Sequence, residues 1–161
     1  MSTIRRATAG DGAFLKAMLA IAADWRPDAR VRPVAEIMAE PALAHYAAGW
    51  PREGDLGFVA EQDGPVGAAW WRYFPARDPG YGFVDETIPE VAIGVVAKAR
   101  GQGTGTLLLD ALVAEARRRS LPGLSLSVEA DNPAAALYRR VGFADIGRTE
   151  GALTMVLRLT T

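Results

Sequence analysis

The chain contains no cysteine and one histidine, His45, among its 161 residues. Without thiols there is no disulfide staple, no cysteine nucleophile and no thiolate metal site. A zinc site would have to rely on carboxylates, and a histidine-dependent triad would have to run through His45, so no metal is expected. Long apolar runs are also missing. Nowhere do roughly 18 uncharged apolar residues follow one another, which argues against a membrane span. The first residues lack the apolar core of a secretory signal, and a cytoplasmic protein is the expectation. Charge of one sign is scarce as well: 18 Lys and Arg stand against 19 Asp and Glu, a formal net charge of -1. A globally basic surface for nucleic acid is therefore lacking. The short run Arg117-Arg118-Arg119 reads instead as the cation-rich end of a helix.

What is present is apolar residue in helical and alternating patterns, 50% of the chain. The length suits one domain over residues 1–161, and a chain of this size buries roughly 70% of its unfolded surface without covalent staples. Ser2 to Arg6 reads as a strand. Phe14, Leu15, Met18, Leu19 and Ala22 recur at helical spacing over about 10–22, with Thr8 and Asp11 placed to cap the start. A second helical region follows Pro33, and Pro41 opens a third that runs through Tyr46. Leu56–Gln62 and Val66–Phe74 are strand-like around the Asp63-Gly64 turn. A further strand, Glu90–Val96, precedes a glycine-rich turn and an amphipathic helix ending near Arg119. Leu124–Val128, a helix from Pro133 to Gly142, and strands Phe143–Ile146 and Leu153–Leu159 complete a mixed α/β order around one sheet.

The turn Arg100-Gly101-Gln102-Gly103-Thr104-Gly105 lies between a strand and a long helix. Glycine lets an anion approach the backbone, and a helix start leaves several amides without intrahelical partners. Such a turn can hold a phosphate or pyrophosphate, with Arg100 adding donors at the rim. The same glycines would also serve a tight turn and nothing more. The common nucleotide fingerprints do not fit. Thr104-Gly105-Thr106 stands where a Walker loop needs Gly-Lys-Ser/Thr, and Thr106 takes the place of the last glycine in G-x-G-x-x-G.

Read with its surroundings, the block resembles the GNAT superfamily of acyl-CoA-dependent N-acyltransferases. Arg100-Gly101-Gln102-Gly103-Thr104-Gly105 is similar to the family's Gln/Arg-x-x-Gly-x-Gly/Ala signature after a strand. Asn132-Pro133-Ala134-Ala135-Ala136-Leu137-Tyr138, running on to Gly142-Phe143, is similar to its Asn-x-x-Ala-x-x-x-Tyr-x-x-x-Gly-Phe pattern. Glu90 matches the glutamate often found at the start of the preceding strand. Many relatives have proline where Ala97 or Lys98 stands here. The resemblance implies a central twisted mixed sheet, flanked by helices and splayed between its fourth and fifth strands. It implies that the amides of Gly101, Gln102, Gly103, Thr104, Gly105 and Thr106 bind the pyrophosphate of acetyl-CoA. Val95 and Val96 would align the pantetheine arm, with Asn132 and Ala135 beside it. A homodimer is implied too, since many relatives pair.

Acyl transfer from a thioester to an amine needs the amine neutral, and the departing thiolate takes up a proton. No covalent enzyme intermediate is required, which suits a chain without cysteine. The family match makes Tyr138 the candidate acid and Glu90 the first candidate base, followed by Glu86 and then Asp85; His45 lies outside the motifs. Trp25, Arg26, Trp71 and Tyr73 are the candidate acceptor-pocket residues. Of Trp70 with Phe74 and Trp71 with Tyr73, alternation sends one pair to the core and leaves the other for a cleft. The expected function is acetyl or acyl transfer to a primary amine of a small molecule or peptide. A non-catalytic acyl-CoA sensor and a plain phosphate- or nucleotide-binding protein are the alternatives.

Overall fold

Seven extended segments pair edge to edge in the order β1-β2-β3-β4-β5-β7-β6. They are β1 (Thr3–Arg6), β2 (Leu56–Glu61), β3 (Pro65–Arg72), β4 (Glu90–Val95), β5 (Gly123–Glu129), β6 (Ala144–Thr149) and β7 (Ala152–Arg158). The computed structural model describes residues 2–159. The helices are α1 (Gly12–Ala23), α2 (Val34–Met38), α3 (Pro41–Ala44), α4 (Thr104–Arg118) and α5 (Ala134–Val141). Every neighbouring strand pair is antiparallel except β4 with β5, which run parallel.

The sheet is covered on both faces, so its central strand reads as a nearly continuous apolar run rather than an alternating one. β3 is buried from Val66 to Arg72. Leu108, Leu112 and Ala116 recur along α4 and pack with Trp71, Leu126 and Met155 on one face. Leu15, Met18 and Leu19 of α1 meet Ile37, Tyr46 and Trp70 on the other. Successive side chains of a strand point to opposite faces, which is why Trp70 and Trp71 belong to different layers. β6, exposed along its length, forms one edge of the sheet.

Local chemistry accounts for most boundaries. The Thr8 amide donates to Asp11 Oδ2 at 2.7 Å, and the Arg5 guanidinium grips the same carboxylate at 2.8 and 2.9 Å. Hydrogen bonding from Arg5, followed by that from the Thr8 amide, holds the Asp11 carboxyl down at about 2. α3 ends at Ala44 instead of continuing through Tyr46, and β3 stops at Arg72 instead of Phe74. A buried ion pair lies where the two segments meet. Arg72 joins Asp55 through Nε–Oδ1 at 3.0 Å and Nη2–Oδ2 at 2.6 Å, with both side chains 1% exposed. Its Nη1 donates to the carbonyls of His45 and Ala48. The guanidinium thus fixes the segment after α3 against the sheet. Removing one partner of a buried pair leaves the other charge uncompensated, so Asp55→Ala should lose about 3–5 kcal/mol of stability. Urea denaturation measures this; a loss below about 1 kcal/mol would match an exposed pair instead.

β4 and β5 share one register pair, Glu90 with Ser125, and the Ser125 amide donates to the Pro89 carbonyl at 3.1 Å. β5 pairs with β7 along its whole length. Beyond Glu90, β4 and β5 therefore part, and the sheet opens into a cleft.

Candidate active site

The opening begins at a backbone cradle. Gly101 and Gly103 have φ of +74° and +80°, and a Cβ at either would meet no atom within 4 Å. Left-handed backbone disfavours L side chains, and the open space in front of these glycines admits a ligand. Gly103 caps α4, whose first-turn amides have no intrahelical acceptors. Among the described residues, the amides from Gly101 to Thr106 have no acceptor outside the helix. A hollow of about 250 Å³ lies here, lined by Arg100, the turn, Leu137 and Arg140. Its donors and helix N-terminus suit a phosphate or pyrophosphate. The Gln102 amide group turns away to the Lys98 carbonyl and Gln62, and the Thr104 hydroxyl is buried against Ser2 and the Ala99 carbonyl. These two residues face the turn through backbone alone.

From that hollow a cleft of about 890 Å³ follows the split between β4 and β5. The Val96 amide donates to Val66 of β3 and its carbonyl accepts from the Ala99 amide, so its N–H is not free for a pantetheine arm. Antiparallel pairing alternates, which turns the backbone groups of Val95, Ile93 and Val91 toward β5. The Val95 carbonyl accepts from Arg100 Nε at 3.1 Å. Across the split, Asn132 Oδ1 accepts from the Ala134 amide, leaving the Asn132 nitrogen as a donor toward the cleft. Ala135 is buried at the base of α5, and Ala134 and Leu137 line the cleft in its place.

Glu90 and Tyr138 both line this cleft. Glu90 is 2% exposed. Its Oε2 accepts from the Tyr46 hydroxyl and from the Gly82 amide at 3.0 Å, while Oε1 has no partner among the described residues. Burial pushes its carboxyl up to about 7, against the opposing pull of those two donors. It therefore titrates near neutrality, as a general base requires. Tyr138 is 7% exposed, and its hydroxyl makes no hydrogen bond among the described residues. Burial raises the phenol above its usual range, so it stays protonated and can donate.

The other candidates lie elsewhere. Glu86 is exposed and accepts from the Ala76 amide at 2.6 Å; Asp85 is exposed and bonds Thr87. Neither reaches the cleft. His45 is packed between Tyr46 and Phe74, with Nδ1 3.1 Å from Asp78. Trp71 and Tyr73 are corrected: alternation puts them on the α4 face, where Trp71 is 1% exposed and donates to the Gly54 carbonyl. Trp70 is core on the opposite face. Trp25 lines the cleft, and its Nε1 donates to Glu129. Arg26 stacks over Trp25, 4.6 Å from the ring centre, and pairs with Glu129 and Asp131, clasping the end of α1 to the end of β5. Tyr46, Tyr81, Leu43 and Arg140 are lining residues that sequence reasoning missed. Arg140 sits within the Asn132–Phe143 motif, so helical spacing from Leu137 could have found it. Tyr46 and Tyr81 carry no local signal.

An open mixed sheet, a backbone cradle at its split, and a buried carboxylate and a phenol lining the same cleft make up the candidate site. The chain belongs to the Acetyltransferase (GNAT) family, whose profile matches residues 18–143. It is 33% identical over 122 residues to a mycothiol acetyltransferase of Amycolatopsis mediterranei, covering 74% of this chain and 38% of that protein. A mycothiol acetyltransferase of Geodermatophilus obscurus is 38% identical over 91 residues, 54% of this chain and 28% of that one. The chain thus spans well under half the length of these curated relatives. Among solved structures, the ribosomal-protein-alanine N-acetyltransferase of Brucella melitensis is 28% identical with a TM-score of 0.69, covering 98% of this chain and 99% of that one. An acetyltransferase from Salmonella typhimurium, solved with acetyl-CoA, shares the fold at 24% identity and a TM-score of 0.69, over 100% and 95% of the two chains.

Proposed function

We propose that the protein transfers an acetyl group from acetyl-CoA to a primary amine of a small molecule or peptide, by direct attack. One observation carries the reading: Glu90, with an unpartnered oxygen, and Tyr138, with a free hydroxyl, line one cleft that leads to the glycine cradle. The cradle and Arg100 hold the pyrophosphate, and the free edge of β4 aligns the pantetheine arm. Glu90 takes a proton from the ammonium. The neutral nitrogen attacks the thioester carbonyl, and amides of the β4 edge face the oxygen as it gains charge. The carbon–sulfur bond then breaks, and the thiolate receives the Tyr138 proton. Trp25 forms part of the acceptor wall.

The names of the relatives span mycothiol and a ribosomal-protein alanine. A panel of small amines, amino acids and peptide N-termini, followed by CoA release with acetyl-CoA as donor, tests the activity. Amine-dependent release is expected; acetyl-CoA binding without release for any amine would count against it. Gly103→Val places a branched side chain in the cradle and strains a left-handed residue. Calorimetry should show acetyl-CoA affinity reduced by at least tenfold, about 1.4 kcal/mol. Unchanged affinity in the folded variant would remove the pyrophosphate from this turn. The exposed β6 edge, with Ile146 48% exposed, supports a homodimer as the assembly. Light scattering at tens of micromolar (roughly the range that populates ordinary dimers) should report twice the chain mass. A monomer would sink the claim.

A further inference from the structure

Resting on the reading of Glu90 as base, we propose that Tyr46 is a positioning residue of acyl transfer: its hydroxyl holds the Glu90 carboxylate in place through Oε2. Tyr46 lies in the turn after α3, far from either sequence motif. Three contacts hold it there. Its carbonyl accepts from Trp70 Nε1 at 2.8 Å, its ring meets Phe74 edge-on, and its hydroxyl accepts from the Tyr81 amide at 2.7 Å. The hydroxyl proton is then directed to Glu90 Oε2, which also accepts from the Gly82 amide. That oxygen is fully engaged. A Cβ at Gly80 would overlap Oε1 and crowd the Tyr46 hydroxyl, so only glycine lets the β3–β4 loop lie this close to the carboxylate. Oε1 itself is buried against Gly80 and, among the described residues, has no hydrogen-bond partner. The loop, the phenol and the carboxylate form one packed unit that fixes where the carboxylate lies.

No neighbouring charge substitutes for Tyr46. Arg72, the register partner of Glu90 on β3, spends its guanidinium on Asp55 and two carbonyls. His45, one residue before Tyr46, is engaged with Asp78. On β5 the register partner is Ser125, which is uncharged, and α1 faces the cleft with Leu19, Ala22 and Ala23. A donor to a carboxylate favours its charged form. Tyr46 therefore keeps Glu90 able to ionise despite its burial.

The test follows the Glu90 side-chain carboxyl by carbon-13 NMR across pH in the full chain, with Glu90→Gln assigning the signal. Tyr46→Phe deletes the donor and keeps the ring, and should raise the midpoint by about one pH unit. 3-Fluorotyrosine at position 46 keeps the ring contacts and sharpens the donor, and should lower the midpoint. It carries the test alone if Tyr46→Phe does not fold. The acid limb of kcat/KM should move in the same directions, with acetyl-CoA affinity unchanged. A Glu90 midpoint that ignores the change at position 46 overturns the positioning role. A midpoint that moves while the acid limb stays, or an acid limb retained in Glu90→Gln, overturns instead the reading of Glu90 as base, and the proposal with it.

Discussion

Glu90→Gln should lower kcat/KM by roughly 100-fold or more at pH 7–8, the scale of a lost general base. The pH dependence is the sharper signature. With its carboxyl at about 7, wild-type Glu90 is already protonated in acid, so wild type and variant converge there. At high pH the amine arrives neutral and needs no help, and the gap closes again. The loss is therefore greatest in a window near neutrality, and the glutamine variant has no inflection at about 7. Initial rates from pH 5 to pH 10 (roughly the span from below the carboxyl to the amine) check this. A deficit constant over the whole range would assign Glu90 a structural part. The sign for stability follows from the same shift. Glu90 holds its proton more tightly folded than unfolded, so that contribution is complete at acid pH, below its ordinary value of 4.5, and is lost as pH rises through about 7. A rise of that size corresponds to roughly 3 kcal/mol. Wild type should thus lose stability between pH 5 and 8 relative to Glu90→Gln, a trade of stability for reactivity visible in thermal unfolding.

Tyr138→Phe should lower turnover by roughly 10- to 1000-fold while acetyl-CoA affinity holds, because only the hydroxyl is removed. The ring stays packed against Phe143, 6.2 Å away between centres. Raising the pH should not restore the rate, since free amine does nothing for the departing thiolate. Steady-state rates and calorimetry on one variant separate these quantities. Near-wild-type turnover at every pH would remove the acid assignment.

The contrast between these two residues shows how far the sequence could be read. Tyr138 and the glycine turn stand in contiguous motifs, where local spacing fixes which helix and which turn carry them. The splay was legible only through the family resemblance that those motifs carry. Glu90 could be placed at a strand start, but not its burial. That depends on Gly80, Tyr46 and Arg72, brought together from three distant stretches of chain. Sequence alone would therefore put the cost of losing Glu90 at low pH, whereas burial moves it to neutrality. The aromatic pairs failed similarly. Alternation separates Trp70 from Trp71, but both faces of the sheet are covered, so neither tryptophan is left for a cleft. That the Val96 amide pairs with Val66 is a matter of register, which no composition of valines records.

The central claim is that one cleft brings thioester and amine together between Glu90 and Tyr138. Initial velocities measured as a joint function of acetyl-CoA and an accepted amine test it most directly. Direct transfer within a ternary complex predicts double-reciprocal lines that intersect. Parallel lines, with an acetylated form of the protein isolated in the absence of amine, would contradict it.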